Sequence, residues 1–142
     1  MILLDAYALV ALLATEPAGS EVDGLLDTDQ TAVTAVNLAE AIDITERVHQ
    51  LERHEIRDAL APLLGPVVLV LPHDERDAWR AAELRATHYE RNERAVSIAD
   101  CFLLAAATPD DSIATSDPAV AATARDEGIR LIALPDSSGV RP

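Results

Sequence analysis

The sequence predicts an α/β protein whose mainly parallel sheet is covered by helices on both faces. Two observations lead to this fold class. Short aliphatic runs alternate along the chain with longer segments of helical periodicity. One of these runs, at residues 67–71, is continuously apolar, which is typical of a strand buried on both faces of a parallel sheet.

The first half of the chain supplies two strands and three helical segments. Residues 1–4 are an apolar run that ends at an aspartate, and the small aliphatic residues 6–14 favour a helix. A new segment starts at Pro17, and residues 31–34 predict a second short strand. A stripe of apolar and small residues, spaced by three and four from Leu38 onward, then predicts an amphipathic helix.

The middle of the chain continues the alternation. Residues 53–64 predict a helix that stops near Gly65-Pro66, before the apolar strand at 67–71. A charged amphipathic helix follows over residues 73–90, and another begins at Ser97 and runs to about residue 108.

The last elements are a strand at 112–115, a helix at 118–127 closed by Gly128, and a strand at 129–134. Strands separated by helices predict parallel pairing, and ligands of such sheets lie beyond the carboxyl ends of the strands. We expect a single domain over residues 1–134. The segment 135–142, rich in Pro, Ser and Gly, is predicted to be a flexible C-terminal tail.

Composition and charge exclude several classes of function. The 142 residues are 49% hydrophobic but only 3% aromatic, which predicts an aliphatic core. The single cysteine excludes an internal disulfide framework and a cysteine-built zinc site. No basic flank or long apolar run marks a secretory signal or a membrane span, so we expect a cytoplasmic protein without membrane attachment.

The chain carries 25 acidic residues against 11 basic ones, a formal charge of −14, and every basic residue is arginine. The absence of lysine excludes Schiff-base chemistry and phosphate-loop lysines. The acidity also argues against passive attraction to nucleic acid, since phosphates need a cationic surface. A nucleic-acid enzyme stays possible where metal ions supply the positive charge.

Four carboxylates fall at predicted strand ends and helix starts: Asp5, Glu40, Asp100 and Asp117. We expect them to meet at one end of the sheet if the strands that precede them are neighbours. Carboxylates crowded together repel one another unless a cation intervenes, and Mg²⁺ prefers oxygen ligands. The chemistry that this group predicts is metal-assisted hydrolysis.

Each carboxylate has a structural alternative that the sequence leaves open. Asp117-Pro118 is a favourable N-cap with proline at the first helical position. Ser97 and Asp100 have capping-box spacing, Asp5 can cap the helix that follows it, and Glu40 can be a solvated helix residue. The functional interpretation depends on the four residues together.

The ordered segments Leu4-Asp5-Ala6-Tyr7, Asn37-Leu38-Ala39-Glu40, Ser97-Ile98-Ala99-Asp100 and Thr115-Ser116-Asp117 resemble the PIN-domain pattern. The resemblance is closest to the VapC-type toxin of bacterial type II (VapBC) toxin–antitoxin pairs, and it covers residues 1–134 at the family's usual length. It implies a PIN-like three-layer α/β/α sandwich and a Mg²⁺- or Mn²⁺-dependent endoribonuclease that leaves 5′-phosphate and 3′-hydroxyl ends.

By position, the resemblance also implies roles for particular residues. Asp5, Glu40, Asp100 and Asp117 match the acidic metal site of the family, and Thr115 matches a hydroxyl residue expected to orient a ligand or Asp117. RNA is the implied substrate, a small VapB-type antitoxin the implied partner, and a homodimer the implied assembly.

Two departures from the family pattern bear on these expectations. Position 6 is Ala where many relatives carry Ser or Thr, and a charge of −14 is unusual for a protein that cuts RNA.

The candidate RNA contacts are Arg85, Arg91 and Arg94. Their alternative is a charge-balanced surface beside neighbouring glutamates. Leu60, Leu63 and Leu64 can line an apolar groove for an antitoxin helix or belong to the core, and the sequence does not distinguish these alternatives.

The sequence argues against two other carboxylate-based functions on similar sheets. A receiver domain needs a late lysine, and a dehalogenase-type phosphohydrolase needs Asp-x-Asp after the first strand, and this chain has neither. The remaining alternative is a catalytically impaired PIN-like binding module, to which Ala6 and the acidic surface lend weight.

Overall fold

The computed structural model describes residues 1–142 as five strands and seven helices. The strands are β1 (Ile2–Leu4), β2 (Thr31–Thr34), β3 (Val68–Leu71), β4 (Ser112–Thr115) and β5 (Arg130–Ala133). The helices are α1 (Ala6–Leu13), α2 (Gly19–Thr28), α3 (Ala35–Arg47), α4 (Arg53–Leu60), α5 (Glu75–His88), α6 (Ile98–Ala106) and α7 (Pro118–Asp126). This order confirms the predicted α/β class.

The five strands form one parallel sheet in the order β3-β2-β1-β4-β5. The strand β1 lies at its centre, where Leu3 and Leu4 are completely buried. From β1 the chain adds β2 and β3 on one side and β4 and β5 on the other. The strand order therefore reverses between β1 and β4, and in open parallel sheets a ligand crevice lies outside the carboxyl ends of the strands at such a point.

Successive residues of β1 point to opposite faces of the sheet, and each face has its own core. Leu4 packs with residues of α1, α2 and α3. Leu3 packs with residues of α5, α6 and α7. Helices thus cover both faces, which confirms the mainly parallel sheet within a three-layer α/β/α sandwich.

The strand β3 differs from the prediction. Its continuously apolar sequence led us to expect burial on both faces, and this was wrong. The strand lies at the edge of the sheet, where Leu69 is 36% exposed and Val70 is 40% exposed. An apolar run alone does not distinguish a central strand from an edge strand, because the difference lies in which other strands pair with it.

Residues beyond β5 form a turn around Asp136, whose carboxylate accepts hydrogen bonds from the backbone N–H groups of Ser138 and Val140. Further on, Arg141 pairs with Glu21 of α2 at 2.6 Å. The flexibility of this tail and the domain limit at residue 134 stay predictions.

None of the seven helices combines the length and apolar composition that crossing a bilayer requires.

Candidate active site

The four predicted acids lie at the carboxyl edge of the sheet. Asp5 directly follows β1, and Asp117 follows the neighbouring strand β4. Glu40 is in the second turn of α3, which begins where β2 ends, and Asp100 is in the first turn of α6. Because β2, β1 and β4 are adjacent, three of the four positions are set by neighbouring strands.

Asp5 is almost fully buried, with 5% of its surface exposed. One carboxylate oxygen accepts the backbone N–H of Ala6 at 2.6 Å, and the other accepts the hydroxyl of Thr115 at 2.6 Å. The pKa of Asp5 is raised from 3.8 to about 7, and burial is the largest cause. The negative charges of Asp100 and Asp117 contribute to this rise, and the hydrogen bond from Thr115 opposes it.

Thr115 connects two of the acids. It is completely buried at the end of β4, and its Oγ1 atom accepts the backbone N–H of Asp117 at 2.9 Å while donating to Asp5. Asp117 in turn caps α7, because its Oδ1 atom accepts the N–H groups of Ala119 at 2.6 Å and Val120 at 3.2 Å. The hydroxyl therefore fixes both the side chain of Asp5 and the backbone of Asp117.

Asp100 belongs to a reciprocal capping box at the start of α6. Its Oδ2 atom accepts the N–H of Ser97 at 2.6 Å, and its own N–H donates to the hydroxyl of Ser97 at 3.0 Å. Burial raises the pKa of Asp100 and the charge of Asp117 adds to the rise, while the bonds from Ser97 and the charge of Arg85 oppose it. The Oδ2 atom of Asp100 is thus held in place by a hydrogen bond, as is the Oδ2 atom of Asp5.

Glu40 completes the group from α3. Burial raises the pKa of Glu40, and the charges of Asp100, Asp117 and Asp43 raise it further. Every one of the four acids therefore acts on, or is acted on by, the charge of another member. No three of the side chains lie close enough together to form a ready-made group of metal ligands.

Three of the four acids also have the helix-capping contacts that the sequence offered as structural alternatives. Asp5, Asp100 and Asp117 each hydrogen-bond the backbone at the start of a helix. An oxygen that accepts one N–H keeps a further lone pair, so capping leaves each carboxylate able to bind a cation. The hydrogen bonds at the helix starts therefore fix the orientation of these three carboxylates.

Sequence reasoning assigned no role to two buried polar residues near the carboxyl end of β2. Thr34 and Asn37 are completely buried at the start of α3, where the hydroxyl of Thr34 donates to the amide oxygen of Asn37 at 2.5 Å. The amide nitrogen of Asn37 has no hydrogen-bond partner. The signal that could have indicated them is the N-cap spacing of Thr34, whose hydroxyl also accepts the Asn37 N–H.

Two of the candidate RNA-binding arginines are engaged within the protein. Arg85 donates to the carbonyl oxygen of Val96 at 2.6 Å. Arg94 donates to Asp126 at 2.5 Å and contacts His88 at 3.2 Å. Neither arginine pairs with the neighbouring glutamates that the alternative of a charge-balanced surface named. Arg85 bonds a backbone carbonyl, and Arg94 pairs with an acid of α7. Arg91 is exposed.

A separate groove of 440 Å³ lies between α3 and α4. Its walls are mainly apolar and include Ile42, Ile56, Leu60 and Leu64, together with the side chains of Arg53 and Arg57. Leu60 and Leu64 thus line a surface groove as well as packing inward.

Comparison with known proteins places this geometry in a family. The family model described as PIN domain matches residues 2–126. Two solved structures share the fold at 22% sequence identity, each aligned over 93% of this chain. The crystal structure of FitAcB from Neisseria gonorrhoeae has a TM-score of 0.63 with 96% of its chain covered, and the structure of FitAB bound to an IR36 DNA fragment has a TM-score of 0.64 with 94% covered.

Comparison with curated proteins gives no significant match. The family model spans most of the chain and includes all four acids, and the solved structures agree with it in fold. On this evidence of sequence and topology together, the chain belongs to the PIN domain family.

Proposed function

We propose that this protein is the toxin component of a type II toxin–antitoxin system and that it hydrolyses RNA as a metal-dependent endoribonuclease. PIN domains are generally nucleases, and this chain is a member. The observation that carries the proposal is the placement of four carboxylates at the carboxyl edge of the sheet, beside the point where the strand order reverses. The ribonuclease activity and the VapC-type role follow from the resemblance of the motifs.

The donor set fits a hard divalent cation. Asp5, Glu40, Asp100 and Asp117 offer oxygen atoms only, which suits a hard cation. Burial raises the pKa of Asp5, Glu40 and Asp100, and the charges of neighbouring acids add to each rise. We infer that these four residues would hold Mg²⁺ or Mn²⁺. When bound, such a cation supplies a water of lowered pKa and positive charge for the phosphate oxygens.

The protein's own part is to fix and shield the acids. Thr115 holds the Oδ2 atom of Asp5 and the backbone of Asp117, and Ser97 holds the Oδ2 atom of Asp100. Preorganised ligands lose little freedom when a cation arrives. Because the chain carries a formal charge of −14, RNA would approach these acids only when their charge is neutralised.

The proposed protein partner is a VapB-type antitoxin. The mainly apolar lining of the groove between α3 and α4 suits the apolar face of an amphipathic helix, and its two arginines suit individual acidic side chains at the edge of that face. FitAB, a structure that this chain resembles in fold, has been solved bound to a DNA fragment. A homodimer is proposed on the resemblance alone, and light scattering of the purified protein would measure it.

A catalytically impaired PIN-like binding module is the second candidate. It is favoured by the finding that no three acidic side chains form a ready-made metal-ligand group, and by Ala6 beside Asp5. A pure binding module need not bind Mn²⁺ at the acids. Titration with Mn²⁺ therefore distinguishes it from a nuclease.

The decisive experiment is cleavage of a total RNA pool by the purified, antitoxin-free protein with Mg²⁺, with Mn²⁺ and with EDTA. Asp100→Asn tests the site, and Asp110→Asn, an equal charge change at an exposed position, is the matched control. We expect metal-dependent cuts from the wild type and the control and none from Asp100→Asn. Cleavage that persists in Asp100→Asn would refute the proposed site.

A further inference from the structure

Arg85 holds both ends of the segment that leads to Asp100. This half-buried side chain of α5 stacks over the ring of Tyr89, with 4.4 Å between the guanidinium carbon and the ring centroid. At the other end of the segment, its Nη1 atom donates to the carbonyl oxygen of Val96 at 2.6 Å. One guanidinium therefore clamps residues 89 and 96 together.

The Val96 contact lies one peptide bond from the residue that holds Asp100. Val96 is completely buried, and its carbonyl oxygen would lose this donor if Arg85 were removed. The next residue, Ser97, exchanges two hydrogen bonds with Asp100, at 2.6 Å and 3.0 Å. A shift of the Val96 peptide would move both Ser97 groups and with them the carboxylate.

We propose that Arg85 is a positioning residue, which fixes the direction of the Asp100 carboxylate by anchoring the Val96 peptide and the Tyr89 ring. This inference rests on the proposed function in so far as Asp100 serves a cation. Arg85 does not touch the ligands itself and acts through Ser97.

The proposal makes a prediction whose sign separates positioning from charge. If Arg85 acted only through its positive charge, its removal would tighten the binding of a cation to the nearby acids. If it positions Asp100, its removal loosens the ligand and weakens binding. Loss of a residue that orients a metal ligand typically weakens metal affinity about 10–100-fold, and a residue one step further out is expected to cost about 5–10-fold.

The test compares Arg85→Met with Arg76→Met, an equal charge change at an exposed position of the same helix. The readouts are Mn²⁺ affinity by calorimetry and hydrogen exchange of the backbone amides of residues 97–101. We expect Arg85→Met to bind Mn²⁺ about 5–10-fold more weakly and to exchange faster at Asp100 and Cys101. Arg85→Lys, which keeps one donor for the Val96 carbonyl, is expected to recover part of both losses.

Unchanged or tighter Mn²⁺ binding by Arg85→Met, or exchange equal to that of Arg76→Met, would overturn the proposal. Should Arg85→Met fail to fold, Tyr89→Leu removes one of the two clamp contacts, and exchange equal to wild type in that variant would overturn it equally. Should the wild type not bind Mn²⁺, the proposed function fails, while the exchange of residues 97–101 still decides whether Arg85 anchors the segment.

Discussion

The hydroxyl of Thr115 donates a 2.6 Å hydrogen bond to Asp5, a residue 110 positions earlier in the chain. The bond joins the carboxyl ends of β4 and β1, the two strands between which the strand order reverses. Through the N–H of Asp117, the same hydroxyl also fixes the start of α7. A single buried hydroxyl therefore fixes the side chain of Asp5 after β1 and the backbone of Asp117 after β4.

Replacing Thr115 by Val tests this arrangement, because valine has nearly the same shape and lacks the hydroxyl. We expect Mn²⁺ affinity to fall about 10-fold and the free energy of unfolding to fall by about 1–3 kcal/mol, since the N–H of Asp117 loses its acceptor. Calorimetric titration and urea unfolding measure the two effects. Thr115→Ser keeps the hydroxyl, and it should retain most of the affinity; equal loss in both variants would contradict the role of the hydrogen bond.

The pKa of Asp5 predicts an unusual pH dependence of stability. With a pKa of about 7, raised from 3.8, the folded protein holds a proton that the unfolded chain releases between these two values. The free energy of unfolding in EDTA should therefore decrease as the pH rises through this interval, with a contribution from Asp5 of roughly 4 kcal/mol at most.

Asp5→Asn tests that pH dependence because the amide cannot ionise and still offers an oxygen to the N–H of Ala6. Urea unfolding in EDTA at pH 4 and pH 8 is the measurement. We expect the variant to be more stable than the wild type at pH 8 and to lack this advantage at pH 4. Stability curves that run parallel between the two pH values would show that Asp5 titrates normally.

Binding of Mn²⁺ to the four acids should raise the thermal stability of the folded protein. At a cation concentration 100 times the dissociation constant, binding to the folded state alone adds about 2.7 kcal/mol to the free energy of unfolding. Calorimetric melting at pH 7.5 with Mn²⁺ and with EDTA measures the gain. We expect Asp110→Asn to keep it and Asp100→Asn to lose most of it; a gain of the same size in both would place the cation elsewhere.

A net charge of −14 attracts partners of opposite charge, so capture of the proposed antitoxin should depend on salt where the antitoxin carries a net positive charge. Residues 1–46 contain nine acidic residues and no arginine, and Glu21, Asp23 and Asp27 of α2 are exposed. The association rate with the cognate antitoxin should decrease as NaCl rises from low to physiological concentration, while the dissociation rate changes less. Surface plasmon resonance gives both rates. An association rate that does not depend on salt would show that electrostatic attraction does not speed this association.

Local patterns in the sequence were enough to predict the elements. The Asp117-Pro118 pair marked the start of α7, and helical periodicity from Leu38 onward marked α3. The four acids were predicted to share one sheet edge because each lies just after a strand or within the first two turns of a helix. The structure places them at that edge, although no three of them form a ready-made group of metal ligands, and their joint role as a metal site stays a prediction.

Contacts between distant segments could not be predicted in the same way. The exposure of β3 depends on which strands pair, and the bond from Arg85 to Val96 depends on how α5 crosses α6. Periodicity is silent about both, since it reports the face that a residue occupies within its own element. The pairing of Arg94 with Asp126 is a further case, because a nearer glutamate would serve equally well by charge.

The capping role of the acids has a consequence for mutation and selection. Asparagine caps a helix about as well as aspartate, but it brings no negative charge. An Asp→Asn change, which needs only one nucleotide, can therefore remove the charge of Asp5 or Asp117, the N-caps of α1 and α7, while the helix behind it stays intact. Under the proposed function, such a change would give a short genetic path to a folded but inactive copy that can still bind the proposed partner. Alanine at the same positions would remove the helix cap as well.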